Sequence, residues 1–548
     1  MAHALAGKPV QEQDIIDVQT IVDAYFDNVP DMTNPTQLVS FGTSGHRGTS
    51  VDGTFTDLHV AAITQAICDG RKQFGATGPI FIGQDTHALS QPALVTVLEV
   101  LAGNGVTAMV DCDMAFVPTP SVSRAIIRYN EEHDDKADGI IITPSHNPPD
   151  NGGIKYNTII GGPADTVVTK WIEMRANEYL TAYCESEDFK RISIDNIEPT
   201  AQVPYDYKGL YVEELGDVIN MEAIKAAGPK VLVDTLGGSG ASYWNAIKER
   251  YGLDLTIIHD DYDPTFSFMT YDHDGKVRMD CSSTYVMASV INRIGDFDLA
   301  VGNDPDYDRY GIVVSSGLIS ANTFLTLAAR YLFTTRGWKH KGVGKTVVCT
   351  TMIDKWAADA ETPVFEVPVG FKYFSQLLFD GAIGIGGEES AGASFLKKDG
   401  TVWTTDKDGM IMALLSMEIM AVMGKSELKM ADEFVEEFGN PSFGRIDAPC
   451  KKEQKQILKQ MSAELITATT VDGDPITNIR TTSLYNDMPI DGVRVETDKG
   501  WFVARPSGTE DLYKIYGESY KGDLGLVALL TAGEEIVNAA LNGTIETE

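Results

Sequence analysis

At 548 residues the chain exceeds what a single hydrophobic core supports, so several domains are expected. Hydrophobic residues at 43% and charged residues at 22% exclude a disordered chain and describe a folded, soluble one. A formal net charge of −35 argues against nucleic acid as the main partner, but not against a small anion held by a few clustered cations.

The first periodic segment is an acidic amphipathic stretch, Gln11 to Asn28. Next, Ser40 to Gly48 sets three glycines and three hydroxyl residues around Arg47. Backbone N–H groups of such a loop can line a concavity while the arginine adds charge, which suits an anion. A flexible Gly/Ser loop reads equally well from the same residues. An α/β alternation follows: strand Pro79 to Gly83, helix Gln91 to Ala102, strand Thr107 to Asp111, helix Ser121 to Tyr129 and strand Gly139 to Ile142. Strands and helices of these lengths predict parallel, right-handed crossovers.

The alternation recurs twice. Its second pass is strand Lys230 to Asp234, helix Gly240 to Arg250, strand Leu253 to His259, helix Ser282 to Arg293 and strand Phe297 to Val301. The third runs from helix Ala321 to Leu332 through strand Thr346 to Thr350 and the segment Pro363 to Tyr373, ending in strand Ala382 to Ile385. The tail differs: Gly492 to Glu496, Trp501 to Ala504 and Leu512 to Gly517 alternate like antiparallel strands, before a helix at Leu524 to Leu541. The expected domains are 1–203, 204–320, 321–440 and 441–548. The fold class is α/β, three related parallel or mixed-sheet domains with a C-terminal α+β domain.

Each α/β pass ends in a polar loop. The first is Thr143-Pro-Ser145-His146-Asn-Pro-Pro149, where prolines stiffen a loop at a strand's C-terminal end, the edge at which open α/β sheets hold ligands. Plain turn chemistry also uses these residues. The second, Asp304-x-Asp306-x-Asp308-Arg309, sets carboxylates at alternate positions that can converge on one hard cation. An EF-hand would need Gly and Glu where Arg309 and Ser315 stand. The third, Gly386 to Ser390, offers Glu388 and Ser390 to sugar hydroxyls, or caps a helix. In the tail, Arg505-Pro-Ser507-Gly508-Thr509-Glu510 brings a guanidinium, two hydroxyls and exposed backbone, an inventory for a phosphate dianion or for a hairpin turn. Gly342-Val-Gly-Lys-Thr346 lacks the earlier glycine of a P-loop and reads as a turn. Gly237 to Gly240 reads as a tight strand–helix turn.

Five motifs (43–48, 143–149, 304–309, 387–390 and 505–510) together resemble the α-D-phosphohexomutases, over nearly the whole chain and in that family's order. The resemblance implies four domains around a central cleft and a phosphoserine at Ser145. It implies Mg²⁺ held by Asp304, Asp306 and Asp308, with a Ser145 phosphoryl oxygen as a further ligand. Glu388 and Ser390 would grip the sugar, Arg505, Ser507, Gly508 and Thr509 the distal phosphate, and Lys372 and Arg309 the substrate. Arg47, His146 and Lys155 would surround the reacting phosphate, with Lys155 as acid–base group. The loop Glu-Glu-Ser-Ala-Gly is similar to the glucose-type version, so the implied reaction interconverts glucose 1-phosphate and glucose 6-phosphate, with glucose 1,6-bisphosphate as intermediate and activator. Another phosphohexomutase such as a mannose-type one, a Mg²⁺-dependent sugar phosphatase and a non-catalytic sugar-phosphate binder are the alternatives. Gln84-Asp85-Thr86-His87 carries His where many relatives carry Arg, which leaves the role of His87 open.

The six cysteines show no Cys-x-x-Cys pairing, which predicts reduced, mostly buried thiols. No signal peptide is evident and no apolar run approaches the roughly 20 residues of a bilayer span, so a cytoplasmic monomer or homodimer without membrane partners is expected.

Overall fold

The computed structural model describes residues 2–42, 45–184, 189–424, 426–506 and 512–545. Three α/β sheets share one plan. A central strand lies parallel to two neighbours, and the later neighbour turns back into an antiparallel strand. In the first sheet Ile80–Gln84 lies between Ala108–Asp111 and Asp138–Ile142, and the latter returns as Asn151–Asn157. In the second, Val231–Asp234 lies between Leu255–Ile258 and Leu299–Asn303, which returns as Tyr310–Val314. In the third, Gly342–Thr346 lies between Val364–Val367 and Ile383–Gly387, which returns as Ala393–Phe395. The first sheet also takes Gly45–Thr49 and Gln202–Tyr205 at its edges. The fourth sheet is antiparallel throughout, ordered Ser442–Pro449, Leu512–Ser519, Gly500–Pro506, Pro489–Thr497, Asp474–Thr482 and Thr470–Val471.

The repeated α/β plan agrees with the sequence reading, and the return strands are additions to it. Asn-Gly-Gly-Ile-Lys-Tyr-Asn (151–157) has a loop's composition, yet it pairs on both sides within the first sheet. Part of the Arg47 loop is likewise a strand, Gly45–Thr49, paired with that same segment. Three further readings are corrected. Gly342–Thr346 is a strand and not a turn, and residues 347–350 turn where a strand was expected. Its glycines make room: a Cβ on Gly342 would meet Phe365, and one on Gly344 would meet Phe374 and Ile383. Of the helix expected over Ser282 to Arg293 only Ala288–Ile291 is α-helical. There Asp280 accepts from the backbone and hydroxyl of Ser282, and Ser283 donates to Asp272, so local side-chain bonds replace the helix ladder. Contrary to the hydropathy expectation, Gly522–Asn542 is long and apolar enough to cross a membrane. In this fold its Leu529, Leu530 and Val537 cover the fourth sheet beside Phe502 and Ile515.

The cores are distributed unevenly. The second and third units share one continuous core, bridged by helix Gly409–Met423, whose residues 409–419 are all buried. The first unit has its own core around Ile140, Ile142 and Ile154. Burying such isoleucines stabilises by roughly 1.5–3 kcal/mol each, so the strand ends they anchor are stiff. The fourth unit meets the third through a small cluster of Val347, Val348, Ile490, Trp501 and Val503 and through polar contacts. Arg480 donates to both oxygens of Glu366 at 2.5 and 2.9 Å, and Glu518 accepts from the Thr351 backbone at 3.0 Å.

Candidate active site

In each α/β unit the connection to the antiparallel return strand carries a sequence motif. Each of these loops also holds one non-glycine residue in the left-handed region: Ser145 at φ +60°, Tyr307 at +62° and Ala391 at +65°. That conformation costs of order 1 kcal/mol in an L-residue and persists only where packing enforces it. For the second loop the enforcement is visible. Tyr307 is fully buried and lies over Gly240, where any Cβ would strike its ring. Gly237 to Gly240 therefore does more than allow a tight turn, because its bare backbone seats the aspartate loop.

Ser145 projects from the end of the buried strand Asp138–Ile142 and is itself 1% exposed. Its hydroxyl donates to Asp304 Oδ2 at 2.9 Å and lies 3.3 Å from His146 Nδ1. Asp304, Asp306 and Asp308 are all buried, and one oxygen of each lies within 4.8 Å of the others. Thr119 steadies Asp306, donating its hydroxyl at 2.7 Å and its backbone N–H to the Asp306 carbonyl at 3.0 Å. Lys155, on the return strand of the first unit, donates to Asp306 Oδ2 at 2.6 Å and Asp308 Oδ2 at 3.2 Å. Lys407 reaches Asp308 Oδ2 from the third unit at 2.8 Å.

These carboxylates are not fully satisfied by the protein. Asp306 Oδ1 and Asp308 Oδ1 are buried and lack hydrogen-bond partners among the described residues. An unpaired buried carboxylate oxygen is costly, and oxygen donors converging in a dry site suit a hard divalent cation. The donor set therefore fits such an ion. The electrostatics agree: burial together with the charges of Asp306 and Asp308 pushes the proton affinity of Asp304 well up, a penalty that a cation would relieve.

Cations crowd the remaining sides. Arg309 donates its backbone N–H to Asp304 Oδ1 at 3.0 Å and its guanidinium to the Ser390 carbonyl at 3.2 Å, joining the aspartate loop to the third loop. Arg47 points at Asn147 Oδ1 at 3.4 Å, beside the serine loop. Burial and then Arg309 push the proton affinity of His146 well down, so its imidazole is neutral. Burial opposes a charge on Lys155, but Asp306 and Asp308 outweigh it and raise its proton affinity. Glu388 leaves strand Ile383–Gly387 almost fully buried, and burial raises its pKa to about 7 despite the attraction of Lys407.

The structure thus brings Ser145, His146, Lys155, Arg47, Asp304, Asp306, Asp308, Arg309 and the Glu388–Ser390 loop into one constellation. Lys372 lies apart from the aspartates. It donates to Thr166 of the first unit at 2.8 Å and feels the charges of Asp165, Asp491 and Arg505. Arg505 is the penultimate residue of strand Gly500–Pro506 and donates to the Ile490 carbonyl at 2.8 Å. Ser507, Gly508 and Thr509 lie outside the described residues. Sequence reasoning missed Lys407, because Thr-Thr-Asp-Lys-Asp-Gly reads as a solvated charge run. The available signal was its position against the very apolar helix that Asp408 caps, accepting from Ile411 N–H at 3.1 Å.

A serine hydroxyl bonded to a carboxylate triad, ringed by lysines and arginines from several like-built units, defines a phosphoryl-transfer enzyme. The phosphoglucomutase/phosphomannomutase models for α/β/α domains I, II and III match residues 38–182, 210–317 and 320–438, and the C-terminal domain model matches 447–524. Phosphoglucomutase of Komagataeibacter xylinus is 47% identical over 97% of both chains. Phosphoglucomutase 1 of Saccharomyces cerevisiae is 27% identical over 88% of both chains. A putative phosphomannomutase from Thermus thermophilus shares the fold at a TM-score of 0.71 and 23% identity, covering 91% of this chain and 99% of that one. The chain belongs to the phosphoglucomutase/phosphomannomutase family of enzymes.

Proposed function

We propose that the chain interconverts glucose 1-phosphate and glucose 6-phosphate, the phosphoglucomutase reaction, through a phosphoserine at Ser145 and a glucose 1,6-bisphosphate intermediate. The observation that carries this reading is the Ser145 hydroxyl, 2.9 Å from Asp304 and strained into the left-handed region at the head of the triad. The full-length likeness to a bacterial phosphoglucomutase supports glucose as the sugar.

In the forward half-reaction a free sugar hydroxyl attacks the phosphorus on Ser145. An O–P bond to the sugar forms as the Oγ–P bond breaks, the hydroxyl proton leaves and Ser145 Oγ regains one. Lys155, which holds its proton beside two carboxylates, would donate to Oγ, and neutral His146 would accept. Arg47 and Arg309 would neutralise the travelling phosphoryl charge, which dominates catalysis of such transfers. Asp304, Asp306 and Asp308 would hold Mg²⁺, which when bound draws charge from the phosphoryl oxygens. Glu388 and Ser390 would take the sugar hydroxyls and the Arg505 loop, with Lys372, the distal phosphate. Reversal after the bisphosphate turns over returns the other phosphate to Ser145. The same reading makes hexose phosphates the partners, glucose 1,6-bisphosphate the activator and the cytoplasm the site of action.

The test is conversion of glucose 1-phosphate in a dehydrogenase-coupled assay containing Mg²⁺ and a trace of bisphosphate, with mannose 1-phosphate as competitor. Ser145→Ala should fold normally and lose at least about 10³-fold in turnover, as deletion of a covalent nucleophile does. Turnover near wild type in that variant would overturn the reading. Release of free phosphate as fast as isomerisation would turn it into a phosphatase.

A further inference from the structure

The motif Gln84-Asp85-Thr86-His87 follows strand Ile80–Gln84, next to the strand that delivers Ser145, and has no part in the chemistry above. Asp85 and His87 are 1% and 0% exposed. Asp85 gathers four donors: the backbone N–H of His87 at 3.0 Å, its ring Nδ1–H at 2.8 Å, and the hydroxyls of Ser90 and Thr143, each at 2.6 Å. Thr143 Oγ1 in turn accepts the backbone N–H of Ser145 at 2.8 Å. On the other side, His87 Nε2 donates to the carbonyl of Asn147 at 3.0 Å. The network therefore grips the serine loop two residues before and two residues after Ser145.

Both ring nitrogens of His87 face acceptors only, a carboxylate oxygen and a carbonyl oxygen. A neutral imidazole owns a single N–H, so satisfying both demands the doubly protonated ring. Burial disfavours that charge, but Asp85 and the more distant Asp306 offset it and raise the ring's proton affinity. The Phe266 ring packs over His87 from the second unit at 5.1 Å between centroids and keeps water away. A loop forced to hold a non-glycine residue at φ +60° needs such bracing, since prolines alone fix only their own φ.

We propose that Asp85 and His87 form a buried ion pair that clamps the serine loop from both flanks and so aims the Ser145 hydroxyl at its reaction partner. They are positioning residues: neither touches Ser145 Oγ, and both act through Thr143 and Asn147. The proposal rests on the reading of Ser145 as the phosphoryl carrier.

The experiment uses the full chain with His87→Gln and Asp85→Asn. It measures kcat and KM for glucose 1-phosphate and the rate at which glucose 1,6-bisphosphate phosphorylates Ser145, read by intact mass. Both variants should lose about 10- to 100-fold in kcat and in phosphorylation rate together, with KM within about twofold, because a small misplacement of the reacting atom is costly while the sugar and distal phosphate sites are untouched. Should His87→Gln fail to fold, His87→Asn, which keeps a donor toward Asp85 and loses the one toward Asn147, carries the same test. Turnover and phosphorylation within about threefold of wild type, or a raised KM at unchanged kcat, would overturn the clamp. A wild-type chain that is phosphorylated by the bisphosphate but does not turn over glucose 1-phosphate would instead overturn the functional reading and leave the clamp to be judged by the phosphorylation rates.

Discussion

The proposed reaction asks opposite properties of the loops at Ser145, Tyr307 and Ala391 and of the motif that begins at Arg505, and the two sets are built on different ground. The first three leave buried parallel strands and are pinned to one another by Ser145 to Asp304 and Arg309 to Ser390. Two of their parent units share a single core. Arg505, where the last motif begins, lies near the end of an antiparallel strand in a unit that meets the third through a cluster of five buried apolar side chains and the Arg480–Glu366 ion pair. Phosphoryl transfer needs its groups fixed to fractions of an ångström, whereas a bisphosphate that must turn over needs one phosphate grip that lets go. On the proposed reaction, rigidity would fall where bonds change and the less apolar joint where the intermediate is let go.

The largest effect is expected at that joint. Arg480 is 9% exposed in its side chain and binds both oxygens of Glu366, which is 3% exposed. Arg480→Met leaves Glu366 buried without its partner, and breaking such a pair costs about 3–5 kcal/mol. Calorimetry should show a separate, lower transition for the fourth unit, with KM raised and the phosphorylation of Ser145 by bisphosphate little changed. A single unshifted transition would mean that the joint is as firm as the junctions among the first three units and that the contrast is wrong.

A middle-sized effect separates sugar binding from the chemistry. Glu388 has its pKa raised to about 7 by burial, so its accepting carboxylate form is complete above that pH and is lost as pH falls through 7. At one unit below, about a tenth is ionised, and KM for glucose 1-phosphate should rise by nearly an order of magnitude between pH 8 and pH 6. Glu388→Gln should bind more weakly at pH 8 and show none of this dependence. Substrate phosphate titrates identically with both proteins, so the ratio of their KM values isolates the side chain. A ratio constant with pH would remove Glu388 from the sugar grip.

How much of this was legible in the sequence follows the same division. The loops that end buried strands were legible as a set: Gly139 to Ile142 breaking into Pro-Ser-His also suits a plain turn, but with three aspartates at alternate positions and the other motifs in order it has an evident chemical reading. The return strands were not, since Asn151–Asn157 takes its strand conformation from partners 12 and more residues away and not from its composition. Gly342–Thr346 misled for the converse reason: its glycines look like turn residues until Phe365 and Phe374 are seen lying on them. Lys407 was invisible because it reaches Asp308 from another unit, and the His87 clamp because it joins loops of the first unit some 60 residues apart in sequence; a sequence shows which residues share a loop but not which loops meet.

The smallest effect tests whether the left-handed residues are imposed strain. Ala391 sits at φ +65° with its carbonyl accepting from Tyr310 N–H at 3.1 Å and its own N–H donating to the Glu388 carbonyl at 3.3 Å. Glycine adopts this conformation without the steric penalty of a Cβ, while it adds entropy to the unfolded chain. The two terms nearly cancel, with relief of strain slightly ahead, so Ala391→Gly should change stability by no more than about 1 kcal/mol, toward stabilisation. The same change at Tyr307 would remove a fully buried ring as well as the strain and should destabilise by about 3–5 kcal/mol. If Ala391→Gly instead destabilised comparably, the loop would depend on the methyl contact and not on backbone geometry. The likeness of the three loops would then be one of position in the fold alone.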